Sequence, residues 1–371
     1  MPLGCASEPP GEQVPLGCAS EPPGEQVPSG SSVEVSPGWG YTSNVRFQLL
    51  ALALVVACGC DRKHREPAAT KPPSEPAVAA PAPAGCTLAP ISARYPMPRR
   101  LVAIGDLHGD LGAARSALRA AGAIDARDRW IGGELVVVQT GDVLDRGDDE
   151  QAVLDLIARL EVDAKAAGGA MIMLLGNHEL MNAAGDFRYV TPGAMGDFDD
   201  VPNLDIAKWS AVPAPARKRI AALGPGGVYA KWLAEHAVVA IVGDTVFSHA
   251  GVIGDWVTQV DAINQSSRCW LDGQAGGPEA PPPALTSDDS PVWTRAVGLE
   301  SADCAQAKAA LAALGVKRMV LGHTVQALGI NALCDDLVWR IDVGLGKLYG
   351  GPIEVLELLP DAPPTVLRGS R

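Results

Sequence analysis

Three short apolar runs, each breaking off in a glycine-flanked polar corner, constrain this chain more than any other feature. LVAI (101–104) runs into Gly105-Asp106-Leu107-His108-Gly109, LVVV (135–138) into Gly141-Asp142-Val143-Leu144-Asp145-Arg146-Gly147, and MIMLL (171–175) into Gly176-Asn177-His178-Glu179. Runs this short that end in glycine read as strands feeding loops. Between them the apolar spacing turns helical, with Leu111, Ala114 and Leu118 in one segment and Val153, Leu156, Ile157, Leu160 and Ala164 in the next. A β-α-β-α-β order predicts functional groups at the carboxyl ends of the strands. Farther along, VVAIVGDTVFSHAG (238–251) predicts a hairpin turning at Gly243-Asp244 and ending at His249. RMVLGHT (318–324) predicts a strand ending at His323, and IEVLEL (353–358) a late alternating strand. The chain thus divides into two partly β halves.

The corners concentrate one kind of chemistry. Of six histidines, His108, His178, His249 and His323 follow apolar runs inside glycine-bounded corners, whereas His64 and His236 read as plain surface residues. Asp106 and His108 are two apart at a strand end, so both side chains reach one side of the sheet rim. A carboxylate and an imidazole suit a hard or borderline divalent metal such as manganese, iron or zinc, and not a soft thiolate site. Asp142, with two carboxylate oxygens, can bridge two ions, and Asn177, His249 and His323 can complete the second ion without adding charge. Two cations about 3.5–4 Å apart can orient a phosphate ester and turn water into hydroxide for in-line attack. The 43 acidic against 30 basic residues leave a formal charge of -13, which argues against nucleic acid as a partner and against a nuclease.

More than half of the 31 prolines fall at or before Pro98, so the folded domain is expected over 99–371. The sequence opens with PLGCASEPPGEQV at 2–14 repeated at 15–27, and residues 1–44 read as a disordered leader. FQLLALALVVA (47–57) is too short to span a bilayer but fits the apolar core of a signal peptide over 45–58. Its ending in small residues before Cys58 resembles the bacterial lipoprotein signal, which implies acylation of Cys58, with Cys60 as the other choice. The expectation is an exported bacterial lipoprotein on the periplasmic face or cell envelope, with 59–98 as a Pro/Ala-rich linker and Val45 as the true start. Cys86, Cys269, Cys304 and Cys334 remain, and their pairing stays open among three possibilities.

In order from Gly105 to His323, GDLHG, GDVLDRG, GNHE, a histidine and GH are similar to the pattern of the calcineurin-like metallophosphoesterases. Arg146 directly after Asp145 resembles the phosphoprotein phosphatase branch, and YAKWLAEHAVV, GDTVFSHAG, VWTR and WRIDVGLGKLYGG resemble its Shewanella-like group. The resemblance implies an α/β fold, an α+β sandwich of two mixed β-sheets flanked by helices. It implies a first metal on Asp106, His108 and Asp142 and a second on Asp142, Asn177, His249 and His323, with Glu179 supporting the ligands. It makes His178 the proton donor, charged and oriented by Asp145, and gives the phosphate to Arg146, Arg295 and Asn177. Asn182 and Arg188 are expected either against substrate or in cap packing.

Two departures bear on substrate. Asp110 follows GDLHG, and WRIDVGLGKLYGG replaces the loop typical of the serine/threonine enzymes, so phosphoserine preference does not follow. The segment 181–234, with Trp209, Arg217, Lys218, Arg219 and Trp232, is longer than a plain connection and predicts a small helical cap over the site. The activity expected is hydrolysis of phosphoprotein or small phosphate esters such as phosphotyrosine. The alternatives are a dinucleoside polyphosphate hydrolase and a non-catalytic phosphate- or metal-binding lipoprotein.

Overall fold

Residues 85–371 are described by the computed structural model; the tandem repeat, the apolar run before Cys58, Cys60, His64 and the linker up to residue 84 lie outside them. β1 (Arg94–Tyr95) precedes β2 (Leu101–Ile104), α1 (Leu111–Ala120), β3 (Val136–Gln139), α2 (Glu150–Ala166) and β4 (Ala170–Met173), which leads into α3 (Asn177–Ala183). Three 3-10 turns, α4 (Arg217–Leu223) and α5 (Val228–Leu233) follow. The second half holds β5 (Val239–Val242), β6 (Thr245–Ser248), α6 (Val260–Leu271), α7 (Pro283–Thr286), α8 (Cys304–Leu314) and β7 (Arg318–Leu321). It ends with β8 (Asn331–Leu333), β9 (Val338–Arg340), β10 (Glu354–Leu358) and β11 (Thr365–Arg368).

The strands build two mixed sheets, ordered β11-β10-β2-β3-β4 and β1-β5-β6-β7-β9-β8. In the first, β2, β3 and β4 run parallel and β10 returns antiparallel beside β2. In the second, β6, β7 and β9 run parallel after the β5–β6 hairpin, whose Gly243-Asp244 turn is as expected. Leu101 and Ala103 of β2 pack with Val138, Phe247, Val320 and Leu356 between the sheets, while Val102 and Ile104 pack with Ala117 and Ile157 on the helical side. A strand covered on both faces has to be apolar throughout, which is why LVAI shows no alternation. Asp110 caps α1 by accepting from Ala113 N at 2.9 Å.

Several expectations change. The fold begins before residue 99: β1 pairs parallel with β5, and Cys86 is bonded to Cys269 in α6, so residues 85–98 are part of the packed unit and not of a linker. The second disulfide is Cys304–Cys334. His236 is buried, with Nδ1 against Trp232 O at 2.9 Å and Nε2 against Glu161 at 2.7 Å, because the turn after α5 brings the ring against Glu161 of α2. The 181–234 segment is helical, but it lies against α2 and α6 more than across the site. Tyr189 reaches the central cavity and Met181, Ala184 and Asp186 a neighbouring one, whereas Trp209, Arg217, Lys218 and Trp232 line neither. Among the described residues no helix is long and apolar enough to cross a membrane.

Candidate active site

Six strand ends deliver the site. β2 leads to Asp106 and His108, β3 to Asp142, Asp145 and Arg146, β4 to Asn177 and His178, β6 to His249, β7 to His323, and β9 to Asp342. The backbone turns sharply there: His108, Asp142, Asp145, Arg146 and His323 all have positive φ, between 47° and 70°. Non-glycine residues held in this region carry strain of about 1–3 kcal/mol each and persist only where surrounding bonds over-determine them. Glu179 supplies those bonds around Asp142, accepting from the backbone N–H groups of Asp142, Val143, Leu144 and Gly176 at 2.8–3.1 Å, while Glu150 accepts from Asp145 N, Tyr189 O from Arg146 N, Asp142 O from His108 N and Asp106 from His323 N. The motif glycines serve close approach, since a methyl group at Gly176 would overlap Asp142 Oδ1 and one at Gly322 would overlap Asp106 Oδ1.

The ring hydrogen bonds fix which histidine nitrogens are free. His249 Nδ1–H donates to Thr140 O at 2.9 Å, His323 Nε2–H to Trp293 O at 3.2 Å, and His108 Nδ1–H to Leu144 O at 3.1 Å. Each carbonyl claims the ring proton and leaves a lone pair on the other nitrogen. His249 Nε2 and His323 Nδ1 then face each other at 3.1 Å, with Asn177 Oδ1 2.9 Å and Asp142 Oδ2 3.2 Å from His249 Nε2. With the His249 ring neutral these four acceptors are suited to a cation; burial opposes a proton on His249, but the Asp142 carboxylate more than offsets it and raises its pKa. Burial pushes His108 down to about 4, and burial with His249 pushes His323 down to about 2, which keeps both rings neutral as ligands must be. Burial opposes a charge on Asp142, yet His249, His178 and His108 around it hold its carboxyl well below the usual range.

Among the described residues two groups have their ligand atoms within 4.8 Å of one another inside each group, His108/Asp142/His178 and Asp142/His249/His323, and Asp142 belongs to both. Asp106, expected in the first group, stands apart from it. Its carboxylate accepts from His323 N at 3.1 Å, and burial and the Asp342 carboxylate beside it hold its carboxyl well above the usual range.

His178 is held on its far side. Its Nδ1–H donates to Asp145 Oδ2 at 2.5 Å, and Asp145 Oδ1 accepts from Asn182 Nδ2 at 3.0 Å. Arg219 of α4, fully buried, donates to Asn182 Oδ1 at 2.8 Å and to Glu150 at 2.5 Å, and stands 3.7 Å from Asp145 Oδ1. A buried guanidinium is tolerable only against carboxylates, so the helical insertion is tied to the Asp145 carboxylate behind His178. Asn182 therefore packs beneath the site and does not face substrate, while Arg188 pairs with Asp186 at the surface. Burial lowers the affinity of His178 for a proton, but Asp142 and Asp145 more than offset it and leave its pKa raised.

The cavity in front holds about 390 Å³, and both predicted phosphate arginines line it. Arg146 lies 4.7 Å from the Tyr189 ring centroid and 5.5 Å from that of Tyr349, and its buried Nε has no partner. Its Nη2 stands 3.4 Å from His178 Nε2, and a fixed guanidinium with a donor to spare at Nε fits an oxyanion. Arg295 donates to His323 O and Thr324 Oγ1 at 3.2 and 3.1 Å. Asn177 turns its Oδ1 to the imidazoles and its Nδ2 to Met181 Sδ at 3.7 Å, which places it on the cation side and not on the phosphate side. Tyr189, Tyr349, Glu150 and Asp342 were missed from sequence. Asp342 had a signal, since it ends an apolar run and precedes a glycine two residues on, as strand-end groups do here.

The model for the calcineurin-like phosphoesterases matches residues 99–327. The chain is 41% identical over 306 residues to Shewanella-like protein phosphatase 2 of Arabidopsis thaliana, covering 73% of this chain and 78% of that protein. The structure of a cold-active protein tyrosine phosphatase superposes with a TM-score of 0.59 at 25% identity, over 74% of this chain and 80% of that one. A protein serine/threonine phosphatase from Saccharomyces cerevisiae shares the fold, with a TM-score of 0.51 at 12% identity over 76% of this chain and 85% of that one. With its ordered motifs on the strand ends of two mixed sheets, the chain belongs to the calcineurin-like phosphoesterase family and is a hydrolase of the metallophosphoesterase kind.

Proposed function

We propose that this chain is a phosphomonoester hydrolase of the protein-phosphatase type, working with two divalent cations on phosphorylated protein or on small aryl phosphates. The observation that carries the reading is the convergence of two donor groups on the shared Asp142, with the His178–Asp145 pair and Arg146 beside them. Asp106, His108 and Asp142 would hold the first cation, and Asp142, Asn177, His249 and His323 the second. Bound there, the cations supply Lewis acidity, polarising the phosphoryl oxygen and making water nucleophilic near neutral pH. The rest falls to the chain. Arg146 and Arg295 grip the non-bridging oxygens and set the phosphorus in line. His178 Nε2 gives its proton to the leaving oxygen as the P–O bond breaks, while Asp145 keeps the Nδ1 proton and the ring orientation.

An aryl ester is supported by the aromatic lining of Tyr189, Trp293 and Tyr349, and by the likeness to a structure named as a protein tyrosine phosphatase. Protein stripped by chelator and reloaded with manganese should hydrolyse a phosphotyrosine peptide and nitrophenyl phosphate. Diadenosine tetraphosphate should be slower by at least about tenfold in kcat/KM. The reverse preference would replace this reading with the dinucleoside polyphosphate one. Binding without turnover of any ester would leave a non-catalytic protein.

The proposal also puts the catalytic unit outside the cytoplasm, on a lipid carried by Cys58. It is supported by the apolar run 47–57 ending at that cysteine and by the disulfides Cys86–Cys269 and Cys304–Cys334, a bonding state typical of oxidising compartments. The wild type should partition into detergent, and Cys58→Ser with Cys60→Ser should not. Membrane association unchanged in the double variant would remove the anchor.

A further inference from the structure

Asp342, just past the end of β9, is 1% exposed and lines the central cavity. Its Oδ1 accepts from Gly344 N at 2.9 Å, which fixes the carboxylate, and its Oδ2 is buried with no hydrogen-bond partner. Beside it stands Asp106, itself 2% exposed, close enough for the two carboxyl groups to interact directly. The contact is enforced by backbone packing, because Gly105 lies directly against Ile341 O with no room for a Cβ. Two buried carboxyl groups in contact are a costly arrangement unless a cation or a shared proton joins them. Asp106, Asp142, His108 and His323 line the same cavity as Asp342.

We infer that Asp342 is a third carboxylate of the metal centre, presenting Oδ2 to the cation on the Asp106 side. The inference rests on the two-cation reading and adds a residue that the motif pattern does not contain. Charge agrees with it. Asp106, Asp142 and Asp342 bring three negative charges against four positive ones from two divalent ions, where the motif residues alone bring two. Asp106 keeps the contact on its own side, its carboxylate accepting from His323 N at 3.1 Å and resting against Asp342.

The test titrates manganese alone into chelator-stripped full-length protein by calorimetry, with thermal denaturation as a second readout. In Asp342→Asn one of the two manganese ions should bind about 10–100-fold more weakly, the usual worth of a group that supports a ligand shell, and the metal-induced rise in Tm should shrink. The ion-free variant should melt no lower than ion-free wild type, since a buried like-charge contact has been removed. Asp342→Ser, which keeps an acceptor for Gly344 N, should behave the same way and covers the case in which the asparagine fails to fold. Two manganese ions bound with wild-type affinity in Asp342→Asn would overturn the inference, because an amide donating to Asp106 would then do all that Asp342 does. If wild type binds a single ion, the two-cation reading falls, and Asp342 stands or falls on whether that one ion is weakened.

Discussion

Asp142→Asn should leave a protein that retains one divalent ion or none in place of about two, with phosphatase activity down by on the order of 10³-fold or more. The two oxygens of this carboxylate are already divided in labour. Oδ1 accepts from His178 N at 3.0 Å, so Oδ2 is the one that faces His249 Nε2 at 3.2 Å and His178 Nε2 at 3.6 Å. An asparagine can satisfy the first only by keeping its oxygen there, which turns an NH₂ toward the cation positions. The charge is lost and a donor is aimed at the metals. Metal analysis of the purified variant checks this, and full occupancy would mean that the ligand assignment is wrong. Glu179→Gln offers a graded comparison. Glu179 was expected from sequence only to support the ligands, but it accepts four backbone N–H groups around a strained loop. A glutamine leaves part of that ring facing a second donor, so metal affinity should fall by about 10–100-fold although no ligand has been removed.

What could be read from the residues alone follows a physical division. The strands β2, β3, β4, β6 and β7 were legible because both faces of each are covered, which demands unbroken apolar runs, and the site residues were legible because each run stops in a glycine corner. β1 is two exposed residues, and β11 carries exposed or half-buried side chains at a sheet edge, so neither had a hydrophobic signature. Arg219 was noticed as a basic residue of the insertion, yet sequence gives no means of knowing that a guanidinium 74 positions from Asp145 lies buried behind it. The left-handed backbone at His108, Asp142 and His323 was invisible too, because those residues are held by partners distant in sequence, Asp142 O for His108 N, Glu179 for Asp142 N and Asp106 for His323 N, and not by residue type. Asp110 shows the same limit from the other side. Read as a departure from the family pattern, it caps α1 and also accepts from Lys347 N at 2.9 Å, which anchors the loop that carries Tyr349 into the cavity.

His178→Asn should keep both metal ions and the fold, yet lower kcat on an alkyl phosphate by on the order of 10²–10⁴, the usual worth of a positioned general acid. The geometry makes metal retention a real test, because His178 Nε2 lies within 4.8 Å of ligand atoms on both His108 and Asp142 and could itself serve as a ligand. Against that role, His178 alone among these rings donates its Nδ1–H to a carboxylate, at 2.5 Å to Asp145 Oδ2. A ring whose far nitrogen is hydrogen-bonded to a carboxylate is oriented and charged for proton donation. The leaving group separates the cases. For nitrophenyl phosphate, whose leaving group departs with little need of a proton, the loss should shrink to a small factor. Asp145→Asn should show the same dependence more mildly, since it removes the group that keeps His178 charged while Asn182 and Arg219 still pack behind it. Arg146→Ala should slow both esters alike, because that side chain positions the phosphate whatever leaves. Rates on the two esters, with metal content measured on each variant, decide it. Equal losses on both esters with metals retained would refute the general-acid role, whereas loss of an ion in His178→Asn would make this histidine a ligand and move the proton donor elsewhere.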